Sequence, residues 1–210
     1  WLGLCPLVYG INGNEWNGVL QQAHKLRKEQ KDTVDAIVIF AGTNDFFANV
    51  PLGEWYTDPI CKKPRVADTQ LEYSRKYRMP LLKDDTFKGR INRVLHFLKT
   101  NYPDKQVILL TPLHRAQARF SSENVQPDEG FANQIGVYID EYVQAVKEAG
   151  NVWAVPVIDL HSLSGLYPLN DSCSIYFHDA DTDRLHPNAT GHRRMAKTLL
   201  YQLLALPATF

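Results

Sequence analysis

The chain has 210 residues, 44% apolar and 22% charged, which is enough apolar surface for a single domain core of ordinary size. Lys plus Arg and Asp plus Glu both total 23, so charge gives no reason to expect nucleic acid or an anionic membrane surface as a partner. No apolar run approaches the roughly 18 residues needed to cross a bilayer, no signal peptide is visible, and Cys5, Cys61 and Cys173 show no CxxC or Cys/His zinc spacing; their odd count is no disulfide framework, though one bridge stays open.

Short apolar runs alternate with amphipathic stretches along the chain. "PLVYG" (6–10) predicts a strand. Residues 16–29 place Trp16, Val19, Leu20, Ala23 and Leu26 at helical spacing. "AIVIFAG" (36–42) is continuously apolar, as a strand covered on both faces requires. Residues 84–102 carry Phe87, Ile91, Val94, Leu95 and Leu98 on one helical face, with Asp84 or Asp85 as the expected cap. "VILLTP" (107–112) predicts the next strand. Residues 128–149 carry Phe131, Ile135, Tyr138, Ile139, Tyr142 and Val146 at helical spacing, with Gly150 as the expected stop. "VWAVPVIDL" (152–160) predicts another strand, and 188–204 a closing helix with Met195, Leu199, Leu200 and Leu203 inward and Asn188 at its start. This alternation predicts one α/β domain over residues 1–210, a three-layer α/β/α flavodoxin-like fold with a parallel sheet. Residues 46–83 are the one long non-periodic stretch. They mix Lys62, Lys63, Arg65, Arg75, Lys76 and Arg78 with Asp68 and Glu72, and read as a solvated loop or a lid.

Open parallel sheets bind ligands beyond the carboxyl ends of their strands. The segments following the expected strands supply Asn44, Asp45, His114, Arg115, Asp159, His161, Asp183 and His186. Asp183 and His186 form the sharpest pair. A carboxylate three residues before an imidazole can accept the Nδ1 proton and leave Nε2 as a general base. Pro187 steers His186 away from helical geometry. Gly42 lets the backbone turn past the strand end, Asn44 offers an amide donor to a developing oxyanion, and Asp45 stands beside them. "GING" (10–13) can turn backbone N–H groups toward an anion. Arg115 suits an acidic or polyhydroxy substrate or a surface salt bridge equally, and Phe46, Phe47, Trp55, Tyr56 and Phe120 suit either a rim, for a sugar or an apolar acyl chain alike, or the packing of a lid. Asp179, Asp181 and Asp183 alternate like the opening of a calcium loop. Arg184 and Thr190 then occupy the places where that loop needs Gly and Glu, so no metal is expected. No phosphate or flavin loop is seen, and no cofactor is implied.

Taken together and in this order, "GING", "GTND" and "DRLHP" resemble the SGNH (GDSL-type) hydrolases. "YGINGNEW", "IFAGTNDF", "LLTPLHR", "VPVIDL" and "DRLHPNATGHRRMA" extend the likeness over most of the chain, especially to bacterial lipase- and esterase-like members. The resemblance implies the SGNH version of the flavodoxin-like fold and a serine esterase mechanism. It implies Gly13 as an oxyanion-hole backbone donor, Asn44 as the side-chain donor, His186 as general base and Asp183 as its orienting carboxylate.

One element of the family pattern is missing from the sequence: no Gly-Asp-Ser precedes "GING", and no Gly-x-Ser-x-Gly occurs elsewhere. Ser162, after "VIDLH", is the least unsuitable of the serines present. The expectation is therefore that the native protein extends upstream by a strand-turn-helix unit that carries the nucleophile and the central strand. The 210 residues alone would then be inactive, and an exported precursor with a leader would fit equally. The expected substrate is a small ester, with an acetyl group on a carbohydrate favoured. A non-catalytic flavodoxin-like binding module and an acyltransferase are the alternatives. Compartment and oligomeric state are left open.

Overall fold

The computed structural model of the chain describes residues 3–61 and 75–206. In chain order the elements are α1 (Trp16–Gln30), β1 (Ala36–Phe40), α2 (Thr43–Phe47), four two-residue strands β2 (Tyr56–Thr57), β3 (Ile60–Cys61), β4 (Arg75–Lys76) and β5 (Met79–Pro80), α3 (Phe87–Asn101), β6 (Gln106–Leu110), β7 (Ala118–Arg119), β8 (Val125–Gln126), α4 (Ile139–Trp153), β9 (Val157–Ile158), α5 (Leu160–Leu163), a 3-10 turn at Asp171–Tyr176, β10 (Phe177–Asp179), β11 (Asp183–Pro187) and α6 (Ala189–Ala205).

The central sheet is parallel, in the order β1-β6-β9. Strand side chains alternate between faces, and that alternation builds the three layers. Ile39, Val107 and Leu109 point into a core made with Trp16, Ala23 and Leu26 of α1, the apolar face of α3, and Tyr142 and Val146 of α4. Ile108, Leu110 and Ile158 point the other way, onto Leu160, Phe177 and Met195, with Leu199 and Leu203 of α6 packed behind. Val38 pairs opposite Ile108 and Phe40 opposite Leu110, so they face the α6 side. They are nevertheless 51% and 49% exposed. The second edge of β1 pairs with no strand among the described residues.

Several expectations need correction. Residues 6–10 form no strand, because a ladder partner is lacking among the described residues. Tyr9 is tied down: its hydroxyl donates to Glu29 Oε2 (2.9 Å) and accepts from Gln30 Nε2 (3.3 Å). The helix expected over 128–149 starts at Ile139 and runs on to Trp153. Phe131, Ile135 and Tyr138 fit helical spacing but are exposed in a loop, which Asn133 organises by accepting from the Val137 N–H and donating to the Phe46 carbonyl. Gly150 lies inside α4 rather than ending it. A Cβ there would stand 2.7 Å from Val157 Cγ2, so its smallness lets α4 approach the sheet. Ala154, in the left-handed conformation, closes the helix instead. The strand expected over 152–160 shrinks accordingly to β9. The N-cap of α3 is Thr86, not Asp84 or Asp85.

Residues 46–83 start at the last two residues of α2 and continue as a narrow antiparallel arm in which β2 pairs with β5 and β3 with β4. Lys62, Lys63, Arg65, Asp68 and Glu72 lie outside the described residues. The base of the arm is moored to α3 and α4. Asn92 Nδ2 donates to the carbonyls of Trp55 (2.9 Å) and Leu81 (3.0 Å), and Trp55 Nε1 donates to Glu148 Oε2 (2.8 Å). Among the described residues no helix is long and apolar enough to cross a membrane, and Cys5 and Cys173 are free thiols.

A second, antiparallel sheet in the order β10-β11-β7-β8 was not legible as strands. It carries the polar segments at the carboxyl end of the central sheet. Asp183 pairs with Ala118, and main-chain hydrogen bonds join Ala116 N–H to Arg184 O (3.3 Å), Arg184 N–H to Gln117 O (3.0 Å) and Arg119 N–H to Thr182 O (2.7 Å).

Candidate active site

Asp183 is buried at the start of β11. Its Oδ1 accepts the backbone N–H of Leu185 (3.1 Å) and His186 (3.0 Å), which curls the segment back on itself. Its Oδ2 lies 3.0 Å from His186 Nδ1. A carboxylate at this distance can accept a proton from Nδ1, which would leave Nε2 a free lone pair, the arrangement a general base needs. The His186 side chain is 58% exposed against 10% for Asp183, so the imidazole is open while its orienting carboxylate is not. Phe120 meets the imidazole edge to face at 5.5 Å. Asn188 caps α6 immediately afterward, its Oδ1 accepting from Thr190 and Gly191 N–H.

The second wall follows β1. Gly42 has φ 125°, in the region that favours glycine, and a Cβ would sit 3.1 Å from Pro112 Cγ and 3.3 Å from Phe87 Cζ. Its role is to turn the chain and pass close to Pro112 and Phe87. Asn44 then donates from Nδ2 to the Asn14 carbonyl (2.9 Å). An amide has two N–H donors, so one bond fixes the side chain and the second proton remains for a ligand. That contact also brings "GINGN" to the site. Gly13 has φ 75° and open space where a Cβ would stand, so the backbone angle, not crowding, calls for glycine.

Two residues expected to bind substrate are interior instead. Asp45 is 0% exposed and accepts from Trp16 N–H (3.0 Å) and Arg90 Nη1 (2.8 Å), with Glu15 competing for the same guanidinium. Burial pushes its carboxyl up to about 6 against the pull of the Arg90 and Trp16 hydrogen bonds. It fastens α2 to α1 and α3. Arg115 is 1% exposed and donates to Thr43 and Gln126. Burial lowers its guanidinium to about 10, partly offset by Glu129, so it stays charged at neutral pH. Phe46 and Trp55, expected at a rim, are buried, whereas Phe47 and Phe120 are exposed.

Other polar residues gather beside this site, beyond β6 and β9. His114 Nδ1 lies 2.7 Å from Glu129 Oε1, and the His114 and His161 rings meet at a tilt of 33° with centroids 3.5 Å apart. Burial first, and His114 second, lower the pKa of His161. Glu129 had no signal in the sequence, because it reaches His114 from 15 residues away. Burial works to raise the Asp159 carboxyl, but Lys147, Ser162 and Thr111 outweigh it and hold it at about 2. Ser162 Oγ donates to Asp159 Oδ2 (2.8 Å), and among the described residues no serine hydroxyl bonds to His186. Nor do the described residues contain a cluster of three or more His, Cys, Asp or Glu that could hold a metal ion.

The segments that follow β1 and β6 leave the same end of the parallel sheet, and hydrogen bonds join them to residues 10–14 and to β11. Asn44 holds Asn14, Thr43 holds Arg115, and the residues after Arg115 pair with Arg184. A sequence model of the GDSL-like lipase/acylhydrolase family matches residues 5–194. Among solved structures, a protein from Lactobacillus plantarum is 22% identical with a TM-score of 0.62, over 87% of this chain and 72% of that one. A protein described as a possible lipase, from Chitinophaga pinensis, is 17% identical with a TM-score of 0.60, over 93% and 81%. A member of the lipolytic G-D-S-L family from Veillonella parvula is 15% identical with a TM-score of 0.53, over 92% and 77%. These likenesses establish the fold. No curated protein matches the chain.

Proposed function

The chain belongs to the GDSL-like lipase/acylhydrolase family, and from that premise we propose that it forms the base and oxyanion walls of a serine ester hydrolase. His186 is the general base, Asp183 orients it, and Gly13 N–H and the Asn44 amide receive the oxyanion. In this reading a serine hydroxyl attacks the ester carbonyl as Nε2 of His186 takes its proton. The tetrahedral oxyanion rests on Gly13 and Asn44. His186 then returns the proton to the departing alcohol, and water repeats the sequence on the acyl-enzyme. The observation that carries the proposal is the 3.0 Å contact between Asp183 Oδ2 and His186 Nδ1, combined with an imidazole open to solvent.

The nucleophile comes from a strand ahead of residue 1 that pairs with the free edge of β1 and covers Val38 and Phe40. An edge of β1 that is unpaired among the described residues, and two half-exposed apolar side chains on that strand, are what such a strand would bury. The substrate is a small acyl ester, with acetyl on a carbohydrate favoured, since the exposed Phe120 beside His186 provides a flat face for a sugar ring.

The test is p-nitrophenyl acetate turnover by the 210-residue chain and by a longer product of the same gene. The longer product is expected to hydrolyse the ester and to lose activity in His186→Ala, and the shorter chain to be inactive. Equal, His186-dependent turnover in both would refute the upstream nucleophile. Turnover indifferent to His186 would refute the base.

A further inference from the structure

We infer that Arg115 is a positioning residue for ester hydrolysis: its guanidinium ties Thr43, and with it the Asn44 amide, to the segment that carries Asp183 and His186. The inference rests on the reading of Asn44 and His186 given above.

Arg115 is among the largest fully buried side chains of the protein. Nη1 donates to Thr43 Oγ1 (3.1 Å) and to the Thr43 carbonyl (3.4 Å), Nη2 donates to Gln126 Oε1 (2.6 Å), and the guanidinium lies over the Phe46 ring, 5.1 Å from its centroid. Among the described residues it makes no ion pair, and Nε has no hydrogen-bond partner. Burying this charge is costly and Glu129 only partly offsets the cost, so an apolar side chain of similar volume would fill the space more favourably. The position therefore calls for a reason other than packing.

The connections of Arg115 supply it. Its backbone N–H donates to Glu129 Oε2 (2.8 Å), its carbonyl accepts from Glu129 N–H (3.2 Å), and the other Glu129 oxygen holds His114. The next residues, Ala116 and Gln117, are bonded to Arg184 through the main chain. One residue thus spans the interval between the two walls: its side chain grips the residue before Asn44, and its backbone leads directly into the partner of β11. A planar guanidinium with donors in a fixed fork suits this task better than a flexible ammonium. Its charge, held against the residue before Asn44, also favours negative charge developing at that loop.

The experiment follows amide hydrogen exchange in the 210-residue chain and its Arg115→Met, Arg115→Lys and Gln126→Met variants. The Phe46 N–H, bonded to Gly42 O (3.1 Å), and the Ala48 N–H, bonded to Asn44 O (2.8 Å), report on α2. In Arg115→Met both should exchange at least about tenfold faster, while Leu109 and Thr111 in the sheet keep their protection. Arg115→Lys should restore part of the protection, and Gln126→Met should loosen the same two amides to a smaller degree. Unchanged exchange at both amides in Arg115→Met and Gln126→Met would overturn the inference. So would uniform loss across the chain in Arg115→Met with no local effect in Gln126→Met, which marks an ordinary core residue. In a form that hydrolyses p-nitrophenyl acetate, Arg115→Met should lower kcat at least about tenfold with KM within about twofold, and Arg115→Lys should recover part of it. Hydrolysis that survives His186→Ala would sink the esterase reading and leave the exchange result to be judged separately.

Discussion

Asp45, Glu15 and Arg90 place two carboxylates around one guanidinium, and the consequence can be measured on the chain itself. Asp45 is the fully buried member, and its carboxyl rises from 3.8 to about 6 because burial outweighs the hydrogen bonds it accepts. Between those values the folded chain holds a proton at Asp45 that the unfolded chain has released. Linkage then requires stability to fall as pH climbs through that window. The contribution is fully present below about 4 and gone above about 6; two pKa units correspond to about 3 kcal/mol, an upper bound for a group with two good donors. Asp45→Asn removes the surplus charge and leaves Arg90 paired with Glu15. Urea unfolding of both proteins at pH 4, 5, 6 and 7.5 should show nearly equal stability at the acid end. The Asn variant should then gain by about 1–3 kcal/mol toward neutral pH. A gap that widens in the opposite direction, with Asp45→Asn losing ground as pH rises, would show that Arg90 dominates and that the burial argument is wrong.

Two further substitutions probe the backbone that presents the site. Gly42→Ala forces a Cβ onto φ 125° and against Pro112 and Phe87; it should cost about 1–3 kcal/mol, and an unchanged Tm would contradict the strain. Asn188→Ala removes the acceptor for Thr190 and Gly191 N–H and the donor to the carbonyls of Ile175 (2.8 Å) and Phe177 (2.7 Å). Its expected cost is about 2–3 kcal/mol by urea unfolding, with Asn188→Asp falling between it and the parent; equal losses in the two would contradict the capping role.

The parts of the fold legible in the sequence are those whose signal is local. Leu26 in α1, Ile91 and Leu98 in α3 and Met195 in α6 repeat at helical spacing, and the apolar runs of β1 and β6 are continuous. Signals failed where a distant contact decides. Residues 6–10 look like a strand but need a neighbour to become one. Phe131, Ile135 and Tyr138 have helical spacing without a surface to bury against. Asp183 and His186 could be paired from sequence because both lie in one turn. Asp45 and Arg115 could not be recognised as interior, because their partners Arg90, Thr43 and Gln126 come from elsewhere in the chain. A polar residue just past a strand end reads as a ligand contact until the side chain that neutralises or binds it is located.

The most direct test of the account is steady-state hydrolysis of p-nitrophenyl acetate by a form of the protein that is active on this ester, with His186→Ala and Asn44→Ala compared with the parent. If the two walls close on one carbonyl group, His186→Ala lowers kcat by about 10³-fold or more. Asn44→Ala then lowers it by about 10²–10³-fold, with KM little changed in either variant. Full kcat in Asn44→Ala alongside an inactive His186→Ala would mean that residue 44 does not face the reacting oxygen, and the proposed convergence at the end of the sheet would be wrong.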